Sequence, residues 1–293
     1  MKVSVGIPTY NDRETIGELL VSILKQEKKC FELSEIIVVN EENTDGTSEI
    51  CEKIAASNDL IRVINLSGPR AGKANALNIM FDEAEGDVLV LFDADCTIKD
   101  NKLIGKLIKP FSSMKKLGLV SGWFRHRRTK KPNLIERRYF FYNSALLEFN
   151  NENKTFLAAS GRILAISKSL YEYVHIPQKT IGDDLFLYLC CLNKGFDFLF
   201  NKKAMIETVL HARSLRDMIR YRKRMLGIYS DMMLRFGSLA KKEFEKATSL
   251  FLKHILKQCM KHPIEGINFA LIELMSVVLT MLSRKKVTYL WRR

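Results

Sequence analysis

Apolar and polar positions alternate from the start of the chain. Val3, Val5 and Ile7 interleave with Ser4 and Gly6, a period of two that predicts a strand over 3–7. The pattern then predicts an amphipathic helix over 12–26, an apolar strand over 35–39 and a helix over 46–57. A strand over 60–65, a helix over 72–84 and a buried strand over 87–92 follow. This alternation predicts an α/β fold, with a mostly parallel sheet and helices on both faces. Ligands of such sheets bind beyond the carboxyl ends of the strands. Here those ends carry Pro8-Thr9-Tyr10-Asn11-Asp12, Asn40-Glu41-Glu42, Leu66-Ser67-Gly68 and Asp93-Ala94-Asp95. Past residue 117 the regularity breaks. A strand at 117–122 leads into Arg125-His126-Arg127-Arg128, and a helix is predicted over 133–150. Short strands flank Ser160-Gly161, a helix follows Gly182-Asp183-Asp184, and from about 213 the pattern is helical.

Composition narrows the class. With 293 residues, 47% hydrophobic and 27% charged, the chain is a folded, core-forming protein, neither disordered nor polytopic. Its net charge of +14 is unevenly placed. Residues 1–200 hold 27 basic and 26 acidic residues, whereas residues 201–293 hold 20 and 7. A globular domain over 1–212 and a basic helical region over 213–293 are therefore expected, the second suited to an anionic partner. The six cysteines form no C-x-x-C pair and read as buried thiols of a reducing compartment. Met1-Lys2 runs straight into the first strand with no signal-peptide pattern, so the chemistry is expected in the cytoplasm.

Three short stretches carry candidate chemistry. Asp93 and Asp95 follow the apolar run Val88-Leu89-Val90-Leu91-Phe92, so two carboxylates can point into one cleft. A hard divalent ion takes one or two such carboxylates and completes its shell with waters and phosphate oxygens. A solvated acidic turn would read the same way. Asp183 and Asp184 precede the next predicted helix, where they fit either helix capping or a general base whose proton affinity its neighbour raises. In Ala71-Gly72-Lys73-Ala74-Asn75, Gly72 allows close backbone approach and Lys73 can pair with phosphate, though a lysine at a helix start is commonly just solvated.

Together, in this order, these residues resemble family 2 glycosyltransferases of the GT-A fold, a Rossmann-like mixed sheet flanked by helices. Ile7-Pro8-Thr9-Tyr10-Asn11-Asp12 resembles that family's first strand and loop, and Val38-Val39-Asn40-Glu41-Glu42 its second. Asp93-Ala94-Asp95 is similar to its D-x-D motif. Ser160-Gly161 is similar to its small pair, and Asp183-Asp184 with Gly195 to its acidic pair and downstream glycine. The resemblance covers roughly residues 2–227. It implies inverting transfer from a nucleotide-diphosphate sugar, with Mg²⁺ or Mn²⁺ on Asp95 assisted by Asp93. It further implies Asp184 as the base beside Asp183, and nucleotide-sugar contacts from Pro8, Thr9, Glu41, Lys73, Asp93 and Arg224. His211 would reach the diphosphate or the metal, unless it is simply structural. Two departures stand out. Asn40-Glu41-Glu42 replaces the commoner Asp-Asp-Gly, and Tyr221 and Met225 replace the Gln and Trp of the processive synthases' Q-x-x-R-W, which argues against a polymer channel.

The basic region shows two amphipathic helical stripes, over 217–236 and 242–261, with Arg and Lys mostly off the apolar side. Packing on the catalytic domain is the alternative reading; no nucleic-acid reader motif accompanies the charge. Residues 267–282 are the most apolar, but a helix there reaches only about 24 Å against a hydrocarbon core of about 30 Å. Glu273 at its centre would cost about 3 kcal/mol to insert. A helix partly embedded in an anionic membrane surface is expected, with a lipid-linked or glycan acceptor.

Overall fold

The computed structural model describes residues 1–68, 70–127, 130–152, 155–210 and 214–282. The chain forms two compact units. The first comprises Met1–Arg125 and Ala159–Thr208, the second His126–Ala158 and Val209 onward.

In the first unit β1 (Lys2–Thr9), α1 (Ile16–Leu24), β2 (Glu32–Glu41), α2 (Thr47–Ala55), β3 (Ile61–Leu66), α3 (Lys73–Glu83) and β4 (Val88–Phe92) follow one another as the periodicity predicts. After β5 (Cys96–Thr97), α4 (Leu103–Ile108) and β6 (Leu117–His126), α5 (Leu134–Glu152) departs into the second unit. The chain returns as β7 (Ile163–Ser167), α6 (Lys168–Tyr171), α7 (Asp183–Asn193) and β8 (Asp197–Thr208). The sheet order is β3-β2-β1-β4-β7-β6-β8-β5. Where β and α alternate regularly the strands are parallel, from β3 to β4. Where the alternation breaks, β7 pairs antiparallel with β4 and β6, and β5 with β8.

The period of two divides the faces. Val3, Val5 and Ile7 share a core with Ile16, Leu19, Leu20 and Ile23 of α1, all without solvent exposure. Each such side chain contributes about 1.5–3 kcal/mol by burial. On the opposite face, a side chain at Gly6 would meet Met80 of α3. All five residues of β4 are buried, so the turn that follows it stands on the least mobile part of the sheet.

The second unit packs α5 against α9 (Ser238–Lys261) and α10 (Pro263–Leu282), with α8 (Leu215–Phe236) against α9 and α10. The N-terminus of α8 is fixed by a capping box, in which Ser214 Oγ accepts from the Asp217 amide (3.2 Å) and the Ser214 amide donates to Asp217 Oδ2 (3.1 Å). Phe141 and Ala145 of α5 pack with Ile255 and Phe269, so α5 belongs with the C-terminal helices although it lies inside 1–212 in sequence. Glu273 does not meet its surroundings alone. Arg138 of α5 donates to Glu273 Oε1 (Nε, 2.6 Å), and Arg222 of α8 bonds its other oxygen while also reaching Ser276 Oγ (3.0 Å). The opposite face of α10, with Leu274 63% and Met281 81% exposed, carries only apolar side chains from Ile264 to Leu282.

Two expectations need correction. Among the described residues no strand directly precedes Ser160-Gly161; Phe156–Ala158 forms one 3-10 turn, because Ala158 bonds back to Thr155 and Asn150 takes the Leu157 carbonyl that pairing would need. Of the six cysteines, all unpaired, Cys30 is exposed rather than buried.

A tight contact inside the sheet lies at Gly122, where a Cβ would lie 2.6 Å from both the Ala204 carbonyl oxygen and Ile163 Cδ1. Because one of these is backbone, Gly122→Ala should cost about 1–3 kcal/mol by overpacking. A urea titration should show a lower midpoint with unchanged slope.

Candidate active site

The turn after β4 is built by backbone bonds. The Asp93 amide donates to the Arg162 carbonyl (3.2 Å) and the Cys96 amide to the Asp93 carbonyl (3.2 Å), so Asp93 and Asp95 sit on one tight bend. Lys73, the first residue of α3, reaches this bend. Its Nζ lies 2.7 Å from Asp93 Oδ1, 2.9 Å from Asp183 Oδ2 and 3.3 Å from the Gly161 carbonyl. Asp183 and Asp184 open α7, and Asp184 accepts from the amides of Gly161 (3.2 Å, Oδ2) and Leu185 (2.9 Å, Oδ1). Gly161 is the hinge of this arrangement. A Cβ there would stand 2.9 Å from Lys73 Nζ and 3.1 Å from Asp183 Oδ2, inside the ion pair. The structure thus brings together Lys73, Asp93, Asp95, Asp183 and Asp184.

Electrostatics follow from this crowding. Burial disfavours the Lys73 ammonium, but the charges of Asp183 and Asp93 outweigh it, and its pKa is raised. Burial raises the Asp93 pKa, Lys73 opposes this, and the Asp95 charge adds to it. Burial and then the Asp183 charge raise the Asp184 pKa, against Lys73 and the two amide bonds. A carboxylate made more basic in this way suits proton abstraction from a hydroxyl.

A second group lies at the neighbouring strand ends. Glu41 is buried and accepts from the Gly72 amide (2.7 Å, Oε1) and Arg70 Nε (3.3 Å, Oε2). The Arg70 guanidinium covers the Tyr10 ring at 3.5 Å. Pro8 pairs with Val39 in the β1–β2 ladder, and Thr9 donates to Asn40 Oδ1 (2.6 Å). Glu42, at the position where the family commonly has Gly, keeps a positive φ of 36°. Glu41, Glu42, Ser67, Gly68, Arg70 and Asn75 line a cleft here. Farther along α3, Asn78 donates to the Ile176 carbonyl and accepts from the Ile176 amide, both at 2.8 Å.

Of the other sequence candidates, Arg224 is carried by α8 in the helical unit, half-buried, and His211 lies outside the described residues. Sequence reasoning missed Tyr10, Arg70 and Asn78 as site-shaping residues. A cation two residues after a loop glycine at the carboxyl edge of the sheet, as in Gly68 and Arg70, was the available signal.

Asp93 and Asp95 supply hard oxygens, and the Lys73 ammonium rests on Asp93 as a cation already does, so the donor set fits Mg²⁺ or Mn²⁺. Among the described residues no group of three or more protein ligands forms a closed cage, so phosphate and water would fill such an ion's shell.

Comparison with known proteins identifies the family and the fold. Residues 4–173 match Glycosyl transferase family 2, and the chain belongs to that family. Probable glycosyltransferase YdaM of Bacillus subtilis (strain 168) is 35% identical over 207 residues, 68% of this chain and 48% of that protein. The poly-beta-1,6-N-acetyl-D-glucosamine synthase of Staphylococcus aureus (strain COL) is 41% identical over 115 residues, 39% of this chain and 26% of that one. The matches thus span about half or less of these relatives' length. Among solved structures, the mannosyltransferase PcManGT from Pyrobaculum calidifontis, in complex with GDP-Man and Mn²⁺, has a TM-score of 0.66 at 21% identity. It covers 96% of this chain and is itself covered to 78%. Glucosyl-3-phosphoglycerate synthase from Mycobacterium tuberculosis, with Mn²⁺, UDP and phosphoglyceric acid, has a TM-score of 0.55 at 19% identity, covering 80% and 78%. Both share the GT-A fold with this chain.

A raised carboxylate pKa costs stability. The folded state binds the proton more tightly than the unfolded one, so the cost is absent below the unfolded value near 3.8 and is complete above the folded value. Asp184→Asn should therefore raise the melting temperature at pH 7, and the gain should vanish as pH falls below that range. Thermal melts of both forms from pH 3 to 8 check this.

Proposed function

We propose that the protein transfers a sugar, with inversion, from a nucleotide-diphosphate sugar to an acceptor hydroxyl or phosphate, in a reaction dependent on Mg²⁺ or Mn²⁺. The observation that carries the reading is the meeting of Asp93, Lys73, Asp183 and Asp184 around Gly161. Asp95 and Asp93 hold the metal, which when bound supplies Lewis-acid stabilisation of the leaving diphosphate. Tyr10, Arg70 and Glu41 form a flat, polar-edged wall for the nucleotide, with Thr9 and Pro8 beneath it. Asp184 takes the proton of an acceptor hydroxyl, and Asp183 keeps it basic. Arg224 and His211 retain only their family assignments to the donor side.

The acceptor is lipid-linked and met at the cytoplasmic face of an anionic membrane. Three features support this. Residues 201–293 carry a net +13. The helix α10 has a mean hydropathy of 1.6 over its apolar window, of which only 22% is buried. Glu273, its one central charge, is held inward by two arginines, so α10 lies along the surface instead of crossing it. Crossing would strip Glu273 of both partners, at a cost of several kcal/mol.

Two experiments test the two halves. Asp95→Asn should abolish turnover and weaken Mn²⁺-dependent nucleotide binding, whereas Asp184→Asn should abolish transfer and leave donor binding intact. Calorimetry beside a transfer assay reads both, and full transfer by Asp184→Asn would remove it as the base. For the membrane, the chain should co-sediment with phosphatidylserine vesicles better than with neutral ones. Each Lys or Arg near the surface adds about 1 kcal/mol, screened over about 8 Å at physiological salt. Apolar burial of α10 is not screened and leaves some binding at high salt, which Leu271→Glu with Leu274→Glu should abolish while sparing donor hydrolysis. Equal binding to both vesicle types, or none, ends the membrane reading.

A further inference from the structure

The position of Lys73 is not accounted for by sugar transfer alone. An ammonium has three donors. Here three oxygens surround it: Asp93 Oδ1 at 2.7 Å, Asp183 Oδ2 at 2.9 Å and the Gly161 carbonyl at 3.3 Å. Asp93 belongs to the metal-binding turn and Asp183 to the base pair, so one side chain grips both halves of the reaction. Two carboxylates, Asp93 and Asp183, pair with this one amine, and Asp95 and Asp184 stand beside them in sequence.

We propose that Lys73 is the resident counter-ion of the donor-free site. It occupies the divalent ion's share of Asp93, and gives it up only when a nucleotide diphosphate offers the ammonium phosphate oxygens instead. The idea rests on the reading of Asp93 and Asp95 as the metal pair. A divalent ion arriving alone meets a positive charge 2.7 Å from one of its ligands and must break that ion pair without replacement. A diphosphate brings both negative charge and acceptor oxygens, and the four-carbon stem of lysine lets the amine turn toward them. The same turn frees Asp183 from its ion pair, so the acid pair is released when the donor is seated. Gly161 leaves the space for this movement, since any Cβ there would stand 2.9 Å from the amine. Lys73 is thereby a positioning residue that makes metal and nucleotide bind together.

The test measures Mn²⁺ binding to the full chain by the loss of the free-ion paramagnetic resonance signal, with no sugar and no turnover. Wild-type protein should bind Mn²⁺ alone weakly, and saturating UDP or GDP should tighten that binding about tenfold or more. Lys73→Met should bind Mn²⁺ alone about tenfold more tightly than wild type, and most of the nucleotide-dependent tightening should disappear. Lys73→Arg keeps the cation and should stay weak. If Lys73→Met loses the wild-type circular dichroism spectrum, Lys73→Gln is measured in its place with the same expectation. Mn²⁺ affinity in the neutral variant equal to or below wild type, while wild type keeps its nucleotide-dependent binding, overturns the role of Lys73 alone. A wild type that binds no Mn²⁺ with either nucleotide overturns this proposal and the metal reading together.

Discussion

The ammonium of Lys73 lies within hydrogen-bond distance of carboxylates 20 and 110 positions later in the chain, and the site is organised by that contact. It ties the start of α3 to the turn after β4 and to the start of α7. Without a cation there, buried acids from two elements would repel one another across a space that burial has made poorly screened. The contact in turn depends on the sheet. The fully buried β4 is flanked by β1 and β7, so the Asp93 turn is fixed and the mobile partner is the lysine. The parallel half of the sheet carries the cleft wall of Tyr10, Glu41 and Arg70. The antiparallel half, through Ser160-Gly161 and β7, provides the floor on which the acid pair rests.

An analogous ionic contact organises the helical unit. Glu273 with Arg138 and Arg222 is an ion triad drawn from three helices, a kind of contact that adds little net stability but is costly to break. Its effect is orientational. By holding one edge of α10 to α5 and α8, it fixes which side of the helix faces away, and that side carries no charge from Ile264 to Leu282. A helix whose composition alone is ambiguous between a core helix and a membrane span thus acquires a defined outward face.

Much of this was legible in the sequence, for reasons of range. Period-two and helical patterns are local, so β1 to β4 and their helices were recovered within a few residues. Asp93, Asp95, Asp183, Asp184 and Lys73 were legible because each sits at the start or end of an element. What escaped was non-local. The Arg70 stack on Tyr10 joins residues 60 apart, and the tie from Arg138 to Glu273 spans 135. A sequence-level insertion cost treats Glu273 as solitary, and the triad removes that premise. The helix α5 was assigned to the catalytic segment because it interrupts it, whereas its aromatic side chains fit the C-terminal helices. The 3-10 turn at Phe156–Ala158 resembled a strand because three short apolar residues cannot establish a period.

The two bonds from Asn78 to Ile176 have a consequence for divergence. Both are made to backbone, one to an amide and one to a carbonyl, so Asn78 holds the path of the chain at Ile176, with the His175 ring also within its reach at 3.4 Å. Outward residues of the segment between Tyr171 and Gly182 that do not touch Asn78, Tyr173 and Gln178 among them, can therefore change without disturbing the anchor that leads into α7. Because α3 also begins with Lys73, one helix carries both the amine and the residue that anchors the approach to the acid pair. Substitution can vary this outward rim while the backbone anchor beneath it stays in place, which separates the positions free to diverge from those that hold the charged centre.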